Sequence, residues 1–129
     1  MQNEQTSSMS FRIESSVKYL AAESKPESNY HLFTYRIRIT NQGSSSAQLL
    51  SRHWIITDGF GRVEEVRGPG VIGQQPRLNP GQSFEYDSAC PLMTTSGSMK
   101  GSYQMQFENG ELREIEIPEF FLVAPQALH

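Results

Sequence analysis

The sequence predicts an all-β protein, an antiparallel β-sandwich folded as a single domain. Apolar and polar side chains alternate with a period of two in short runs along most of the chain. Turn-forming glycine, proline and asparagine residues separate these runs at fairly regular intervals. No window of a dozen residues shows the i, i+3, i+4, i+7 spacing of an amphipathic helix. Short strands around one core, without helices, form a sandwich.

Three alternating runs open the domain. Ser10–Tyr19 is predicted to be a half-buried strand, and Tyr30–Thr40 gives the strongest strand pattern. Gln48–Thr57 has apolar residues on both faces, since Leu50, Trp54 and Ile56 share one parity and Leu49 and Ile55 the other. We therefore expect this third strand to be central in its sheet.

The second half alternates strands with loops. Asp58–Gly61 predicts a tight turn before a short strand around Val63 and Val66, and Gly68–Pro80 predicts an irregular loop. Further strands are expected around Phe84–Tyr86 and Tyr103–Phe107, with a loop over Cys90–Ser98 between them.

A hairpin is predicted at Asn109-Gly110, a dipeptide that favours two-residue turns between strands. The strand that follows, with Ile115 and Ile117, is expected to end at Pro118 because proline cannot donate to a ladder. Phe120–Val123 then predicts a separate last strand.

Trp54, in an early-middle strand, is typical of an immunoglobulin-like core. Cys90 is the single cysteine, so the disulfide of true immunoglobulin domains is excluded, as is an oxidised secreted scaffold. The sequence therefore predicts a fibronectin type III-like variant of the sandwich.

Length and charge limit the functions open to the chain. A chain of 129 residues accommodates one domain, which we place at residues 9–129 after a flexible tail at 1–8. A net charge of −3 argues against nucleic acid as the partner. The N-terminus has no apolar segment typical of a signal peptide, and no apolar run approaches the ~20 residues of a membrane span. We expect a cytoplasmic protein without membrane insertion.

Several segments resemble the ApaG family. They are Ser51–Gly61, Val66–Pro76, Pro80–Tyr86, Thr95–Met105 and Ile117–Phe120. The resemblance extends from about Phe11 to Val123; Met1–Ser8 lies outside it, and Phe60 stands where a small or polar turn residue is expected.

The resemblance implies a fibronectin-type sandwich without known catalysis. In bacteria the family is linked genetically to cobalt tolerance and magnesium efflux. Similar domains occur in an F-box protein and in a polymerase-delta-interacting protein, which implies protein recognition. Family membership thus favours a binding module by analogy.

Three glycines match the letters of the dinucleotide-binding fingerprint: Gly68, Gly70 and Gly73. A Rossmann site requires a helix directly after them, which Pro76 and Pro80 exclude. Successive glycine amides can instead form an anion nest, and Arg67 and Arg77 lie close in sequence. A structural loop is the alternative interpretation. If the chain holds a phosphate or pyrophosphate group, we expect it in this segment.

Metal and nucleophilic sites find little support. His31, His53 and His129 form no ligand pair, and paired carboxylates such as Glu64-Glu65 are typical of solvated strand faces. Cys90 lacks the signature of a catalytic elbow and is expected to be a buried apolar residue. We predict no catalytic residue, no metal site and no cofactor.

A protein partner is the main prediction. Phe60, at a turn tip, is the candidate contact residue, while Trp54 is expected in the core. Edge strands of an open sandwich can also bind a partner strand or a second copy of the chain. The sequence therefore predicts a non-enzymatic protein-binding module, with a phosphate-bearing small molecule as the alternative ligand and a weak divalent-ion buffer as a third possibility.

Overall fold

The computed structural model describes residues 10–128, so the flexible tail expected at 1–8 lies outside the described residues. Eight strands follow one another: β1 (Phe11–Tyr19), β2 (His31–Asn41), β3 (Ala47–Asp58), β4 (Val63–Pro69), β5 (Arg77–Leu78), β6 (Ser83–Leu92), β7 (Ser96–Phe107) and β8 (Leu112–Val123). Two short 3₁₀ turns, Pro26–Ser28 and Pro125–Leu128, are the helical segments of this part of the chain. Neither is long or apolar enough to cross a membrane.

The strands form two antiparallel sheets. The small sheet has the order β1-β2-β6, and the large sheet has the order β4-β3-β7-β8. The short strand β5 pairs with the first residues of β3, on the same side as β4. The central position predicted for Gln48–Thr57 is confirmed, because β3 has paired strands on both edges.

Apolar side chains from both sheets meet in one core. Its centre is aromatic: Trp54 of β3 lies 5.5 Å from Tyr35 of β2 and 5.9 Å from Phe120 of β8, measured between ring centroids. The hydroxyl groups of Tyr86 and Tyr103 join the two sheets by a hydrogen bond inside the core. The core position predicted for Trp54 is confirmed, and the chain forms the expected β-sandwich.

A β-bulge at Leu50 changes the phase of β3. Leu49 pairs with Met105 and Ser51 with Gln104, so Leu50 has no opposite residue on β7. Before the bulge the odd-numbered residue Leu49 is buried, and after it the even-numbered Trp54 is. Leu49 on one side of the bulge and Trp54 and Ile56 on the other therefore reach one core, since the extra residue reverses the alternation.

A second bulge corrects the prediction for the end of the chain. Pro118 does not end the ladder, and Phe120–Val123 is no separate strand, because β8 runs from Leu112 to Val123. Pro118 and Glu119 together lie opposite Lys100 of β7. A bulge on an edge strand accommodates a proline, since the missing N–H needs no ladder partner there.

Two loops are shorter than the sequence predicts. The expected loop Cys90–Ser98 is reduced to residues 93–95, because β6 extends through Pro91 to Leu92 and β7 begins at Ser96. Proline is tolerated in β6 because β6 is an edge strand. The prediction of a loop over Gly68–Pro80 is also wrong near both ends. Gly68 and Pro69 pair with β3 as the end of β4, and Arg77 and Leu78 pair with β3 as β5.

A buried asparagine joins the β2–β3 connection to the end of β5. The Asn41 side-chain amide donates to the carbonyl oxygens of Ser45 and Leu78, each at 2.9 Å, and its oxygen accepts from the Gly43 N–H at 2.9 Å. Asn41 is fully buried. Its side chain thus satisfies backbone groups that water does not reach.

We predict that Asn41→Ala lowers the free energy of unfolding by about 2–4 kcal/mol, because it leaves buried carbonyl groups without donors. Urea denaturation measures the change. Asn109→Ala is the matched control, since the Asn109 side chain accepts one exposed hydrogen bond from Glu111; it is expected to cost less than about 1 kcal/mol. Equal losses in the two variants would contradict the structural role of Asn41.

Candidate functional site

Exposed apolar side chains concentrate at one end of the sandwich. Nine large hydrophobic residues are exposed in the described part of the chain, and five of them lie at or beside the β3–β4 and β6–β7 turns and the end of β8. We call these five the Phe60 patch: Phe60, Val63, Met93, Phe121 and Val123. Clustered exposure of this kind is typical of an interaction surface.

The pairing of the large sheet explains part of this cluster. Val63 is opposite Thr57, which is opposite Ser98, which in turn is opposite Phe121. Residues directly opposite one another point to the same face, so Val63 and Phe121 both lie on the outer face. The neighbouring residues of Phe121 in sequence, Phe120 and Leu122, fill the core.

The turn that carries Phe60 is held by Asp58. One carboxylate oxygen of Asp58 accepts hydrogen bonds from the backbone N–H groups of Phe60 at 2.9 Å and Arg62 at 3.0 Å. The other oxygen accepts from the Arg62 side chain at 2.9 Å. Gly61 takes a φ of 83°, which glycine adopts at low cost. The Phe60 ring is 76% exposed and lies 5.0 Å from the Arg62 guanidinium carbon.

The Asp58 carboxylate remains ionised over a wide pH range. Desolvation by itself would raise the pKa of Asp58, but the backbone N–H groups of Arg62 and Phe60 and the Arg62 guanidinium hold the pKa below its usual value. The turn geometry is therefore expected to persist into mildly acidic solution.

A cleft adjoins the patch between the two sheets. It has a volume of about 210 Å³, and Val63, Met93, Leu92 and Arg62 are among its lining residues. The Gly59 N–H donates to the Thr94 hydroxyl at 2.8 Å and so fixes the β3–β4 turn against the β6–β7 turn. The cleft is large enough for one apolar side chain of a partner.

A polar groove occupies the middle of the outer face of the large sheet. Its volume is about 650 Å³, and its lining includes His53, Arg67, Lys100, Ser102 and Glu116. We call it the outer groove. Its cationic residues, Arg67 and Lys100, are matched by Glu114 and Glu116 of β8, so its net charge is small.

Ion pairs order one side of the outer groove. His53 Nε2 lies 2.8 Å from Glu65 Oε1, and the Arg67 guanidinium lies 3.4 Å from the same oxygen. The hydrogen bond from His53, helped by the charges of His53 and Arg67, lowers the pKa of Glu65. Across the sheet, the Ser102 hydroxyl donates to Glu114 at 3.1 Å.

The structure gives two of the fingerprint glycines a packing role. Gly68 lies in β4 opposite Arg52, and a Cβ at Gly68 would come within 2.9 Å of the Arg52 guanidinium. That guanidinium donates to the carbonyl oxygens of Pro69 at 3.0 Å and Gly70 at 3.1 Å. A Cβ at Gly70 would come within 2.2 Å of the Gln74 carbonyl oxygen. Gly70 therefore needs glycine for close packing, whereas at Gly68 the flexible Arg52 side chain can move aside.

The glycine N–H groups and the two arginines of the predicted anion nest do not point toward a common centre. The Gly70 N–H is used, since it donates to the Leu50 carbonyl at 2.8 Å. Gly73 is the second central residue of a tight turn, with φ of 42° at Ile72 and 78° at Gly73. Arg67 points to the outer face, whereas Arg77 lies in β5 opposite Gln48. Arg67 and Gly68 do share one small hollow of about 250 Å³.

Arg52 is a residue that the sequence interpretation missed. It shares the parity of Trp54, so its side chain belongs to the inner face of β3, where it stabilises the end of β4. A charged residue at the parity of Trp54 was the available signal; its pairing with Gly68 is visible only in the structure. The sequence indicated Phe60 but not its grouping with Met93, Phe121 and Val123, because these residues come from distant parts of the sequence.

Metal and nucleophilic chemistry remain unsupported at these residues. Within residues 10–128, no three His, Cys, Asp or Glu residues form a cluster that could hold a metal ion. His31 is buried and its Nδ1 lies 3.2 Å from the Tyr19 hydroxyl. Cys90 is buried as predicted, and burial raises the pKa of its thiol to about 11. An activated nucleophile requires the opposite shift.

Together these features define a β-sandwich whose exposed apolar end and mixed-charge groove suit binding. Comparison with known proteins identifies the family to which this sandwich belongs. The ApaG domain matches residues 21–107, and the chain belongs to the ApaG family.

Relatives extend the match to nearly the whole chain. Protein ApaG of Bdellovibrio bacteriovorus is 57% identical over 126 residues, covering 98% of this chain and 99% of the relative. Protein ApaG of Chromobacterium violaceum is 53% identical over 117 residues, covering 91% and 93%. The crystal structure of the putative ApaA protein from Bordetella pertussis superposes with a TM-score of 0.88 at 50% identity, covering 91% and 95%.

We predict that iodoacetamide at about pH 8 modifies Cys90 roughly a hundredfold more slowly in the native protein than in urea, since burial removes both access and thiolate. Mass spectrometry of timed samples measures the two rates. A native rate close to the unfolded rate would show an accessible, activated thiol and would contradict the buried apolar role.

Proposed function

We propose that the protein is a non-enzymatic binding module whose Phe60 patch contacts another protein. The observation that carries the proposal is a phenylalanine held 76% exposed on a turn fixed by Asp58. Removing a Phe side chain from water contributes about 1.5–3 kcal/mol, so folding alone gives no reason to expose it. A partner that covers the ring recovers this free energy.

The surroundings of Phe60 favour a protein over a small apolar ligand. Phe121 is 64% exposed and Met93 57%, so further apolar side chains are exposed at the same end of the sandwich as Phe60. The cleft of about 210 Å³ beside it offers a pocket for one partner side chain, with Arg62 at its border. An apolar centre bordered by charged residues is the usual composition of a protein interface.

The family supplies the biological setting of this proposal. The ApaG resemblance links the chain to cobalt tolerance and magnesium efflux, and a protein-binding module contributes to such a process through its partner. We place this function in the cytoplasm. The raised thiol pKa of Cys90 supports a role other than catalysis.

The Phe60 patch can be tested with one variant pair. We predict that Phe60→Ser keeps the fold and loses proteins that the wild-type chain captures from its native lysate, because the variant removes the exposed ring. Leu112→Ser is the matched control. Leu112 is 51% exposed in the β7–β8 hairpin at the other end of the sandwich, so this variant is expected to keep the captured proteins.

Quantitative mass spectrometry of the captured proteins gives the readout, and circular dichroism verifies the fold of each variant. An identical set of proteins for wild type and Phe60→Ser would contradict the proposed contact. Loss of the captured proteins with Leu112→Ser as well would mean that the capture is nonspecific.

A second candidate function is the binding of a phosphate or pyrophosphate group at the Gly68–Gly73 segment. The observation that favours it is the hollow of about 250 Å³ shared by Arg67, Gly68 and His53. Arg67 would supply the charge-assisted hydrogen bonds that phosphate oxygens accept. Glu65 opposes this binding, since its carboxylate already pairs with Arg67.

We predict that pyrophosphate shifts the amide NMR signals of Arg67 and Gly68 in the millimolar range, since the hollow holds few fixed donors. Arg67→Ala is expected to abolish the shifts. Arg113→Ala is the control, because Arg113 pairs with Glu111 in β8, outside the residues that line this hollow. Flat titrations of the wild-type protein would remove this candidate.

A further inference from the structure

Strand β1 is the edge of the small sheet, and its backbone is uninterrupted. It pairs with β2 over nine consecutive residues without a register shift. The segment Phe11–Tyr19 contains neither proline nor glycine. The other outermost strands are interrupted, since β6 contains Pro91, β4 ends at Pro69 and β8 has the bulge at Pro118. Edge strands of folded proteins usually carry such protection.

Two hydrogen bonds at the ends of β1 show which of its residues bond to β2. The Gln42 N–H donates to the Ser10 carbonyl at 2.8 Å, and the Leu20 N–H donates to the Leu32 carbonyl at 2.8 Å. The even-numbered residues of β1 therefore direct their backbone groups toward β2. The odd-numbered residues from 11 to 19 direct theirs away from β2, toward the open edge.

The side chains of β1 also show an uncovered centre. Phe11, Ile13 and Tyr19 pack against the core, but Ser15 and Val17 on the same face are exposed. Val17 is 36% exposed. A strand added beside β1 would shelter Val17 and pair the outward backbone groups at the same time.

Charge selects the added strand. On the solvent face Glu14 lies two residues before Ser16 and Lys18 lies two residues after it. When two copies of β1 pair antiparallel with the two Ser16 residues opposite each other, each Glu14 faces Lys18 of the other copy. Shifting the centre to Ser15 instead places Arg12 opposite Lys18, two like charges. Opposite charges across strands stabilise a pair and like charges destabilise it.

We propose that the chain self-associates through β1, which pairs antiparallel with β1 of a second copy about a two-fold axis at Ser16. The pairing joins the two three-stranded sheets into one continuous sheet. Residues 13–19 of each copy then exchange up to about eight main-chain hydrogen bonds. The Phe60 turn joins β3 and β4 and lies away from this edge, whereas β8, which carries Phe121 and Val123, packs beside β1.

Cysteine cross-linking tests the register. In the paired strands the two Ser16 residues form a non-hydrogen-bonded pair with Cα atoms about 4.5 Å apart, within disulfide range. We expect Ser16→Cys to form a covalent dimer under mild oxidation at least roughly tenfold faster than Ser15→Cys. In this register the two copies of residue 15 are diagonal neighbours about 7–8 Å apart, beyond easy reach. The wild-type chain is the blank, since Cys90 is buried.

Charge exchange tests the same register without cysteine. Sedimentation equilibrium is expected to show a wild-type monomer–dimer equilibrium, with the dissociation constant raised about tenfold or more by Glu14→Lys. The double variant Glu14→Lys with Lys18→Glu restores the opposite charges and is expected to restore the affinity. Both side chains are exposed, so the fold is kept, which circular dichroism verifies.

Three results would overturn the proposal. The first is a wild-type monomer up to millimolar concentration, and the second is cross-linking of Ser15→Cys as fast as that of Ser16→Cys. The third is a dimer whose affinity does not respond to Glu14→Lys, which would assign self-association to another surface.

Discussion

The bulge at Leu50 is the feature on which the large sheet depends. Its carbonyl oxygen accepts hydrogen bonds from the Gly70 N–H at 2.8 Å and the Gln75 side chain at 2.9 Å. These bonds attach the whole glycine segment to β3 and leave room for both β4 and β5 on one edge. The bulge also turns Trp54 into the core, because it reverses the alternation that Leu49 follows. One inserted residue thus determines which side chains of β3 face the core and which face solvent.

Regular alternation made most of the fold predictable. Tyr30–Thr40 follows a strict period of two, and β2 occupies nearly those residues because a half-buried strand repeats every second side chain. The alternation failed where the chain inserts a residue. At Leu50 the pattern suggested two apolar faces, and at Pro118 it suggested two strands, although each is one strand with a phase change. A local pattern shows which residues of a short segment share a face. It does not show that a bulge joins two segments with opposite alternation into one strand.

The candidate site was predictable only in part. The turn chemistry of Asp58–Gly61 indicated an exposed Phe60, and the structure places its ring in solvent. Met93 joins it through a contact between two turns 35 residues apart, from Gly59 to Thr94, which no local pattern encodes. The close packing of two fingerprint glycines could not be predicted either. It involves the Arg52 guanidinium beside Gly68 and the Gln74 carbonyl beside Gly70, neither of which a spacing rule includes.

The hydrogen bonds around the Asp58 carboxylate have a thermodynamic consequence for recognition. Three of them, all near 2.9–3.0 Å, immobilise the loop before any encounter takes place. In the proposed complex, a ring presented in this way loses little conformational entropy on docking, so more of the burial free energy is retained as affinity. Mutation of Asp58, which holds the turn that carries Phe60, could therefore weaken the proposed complex as much as the loss of the Phe60 ring itself.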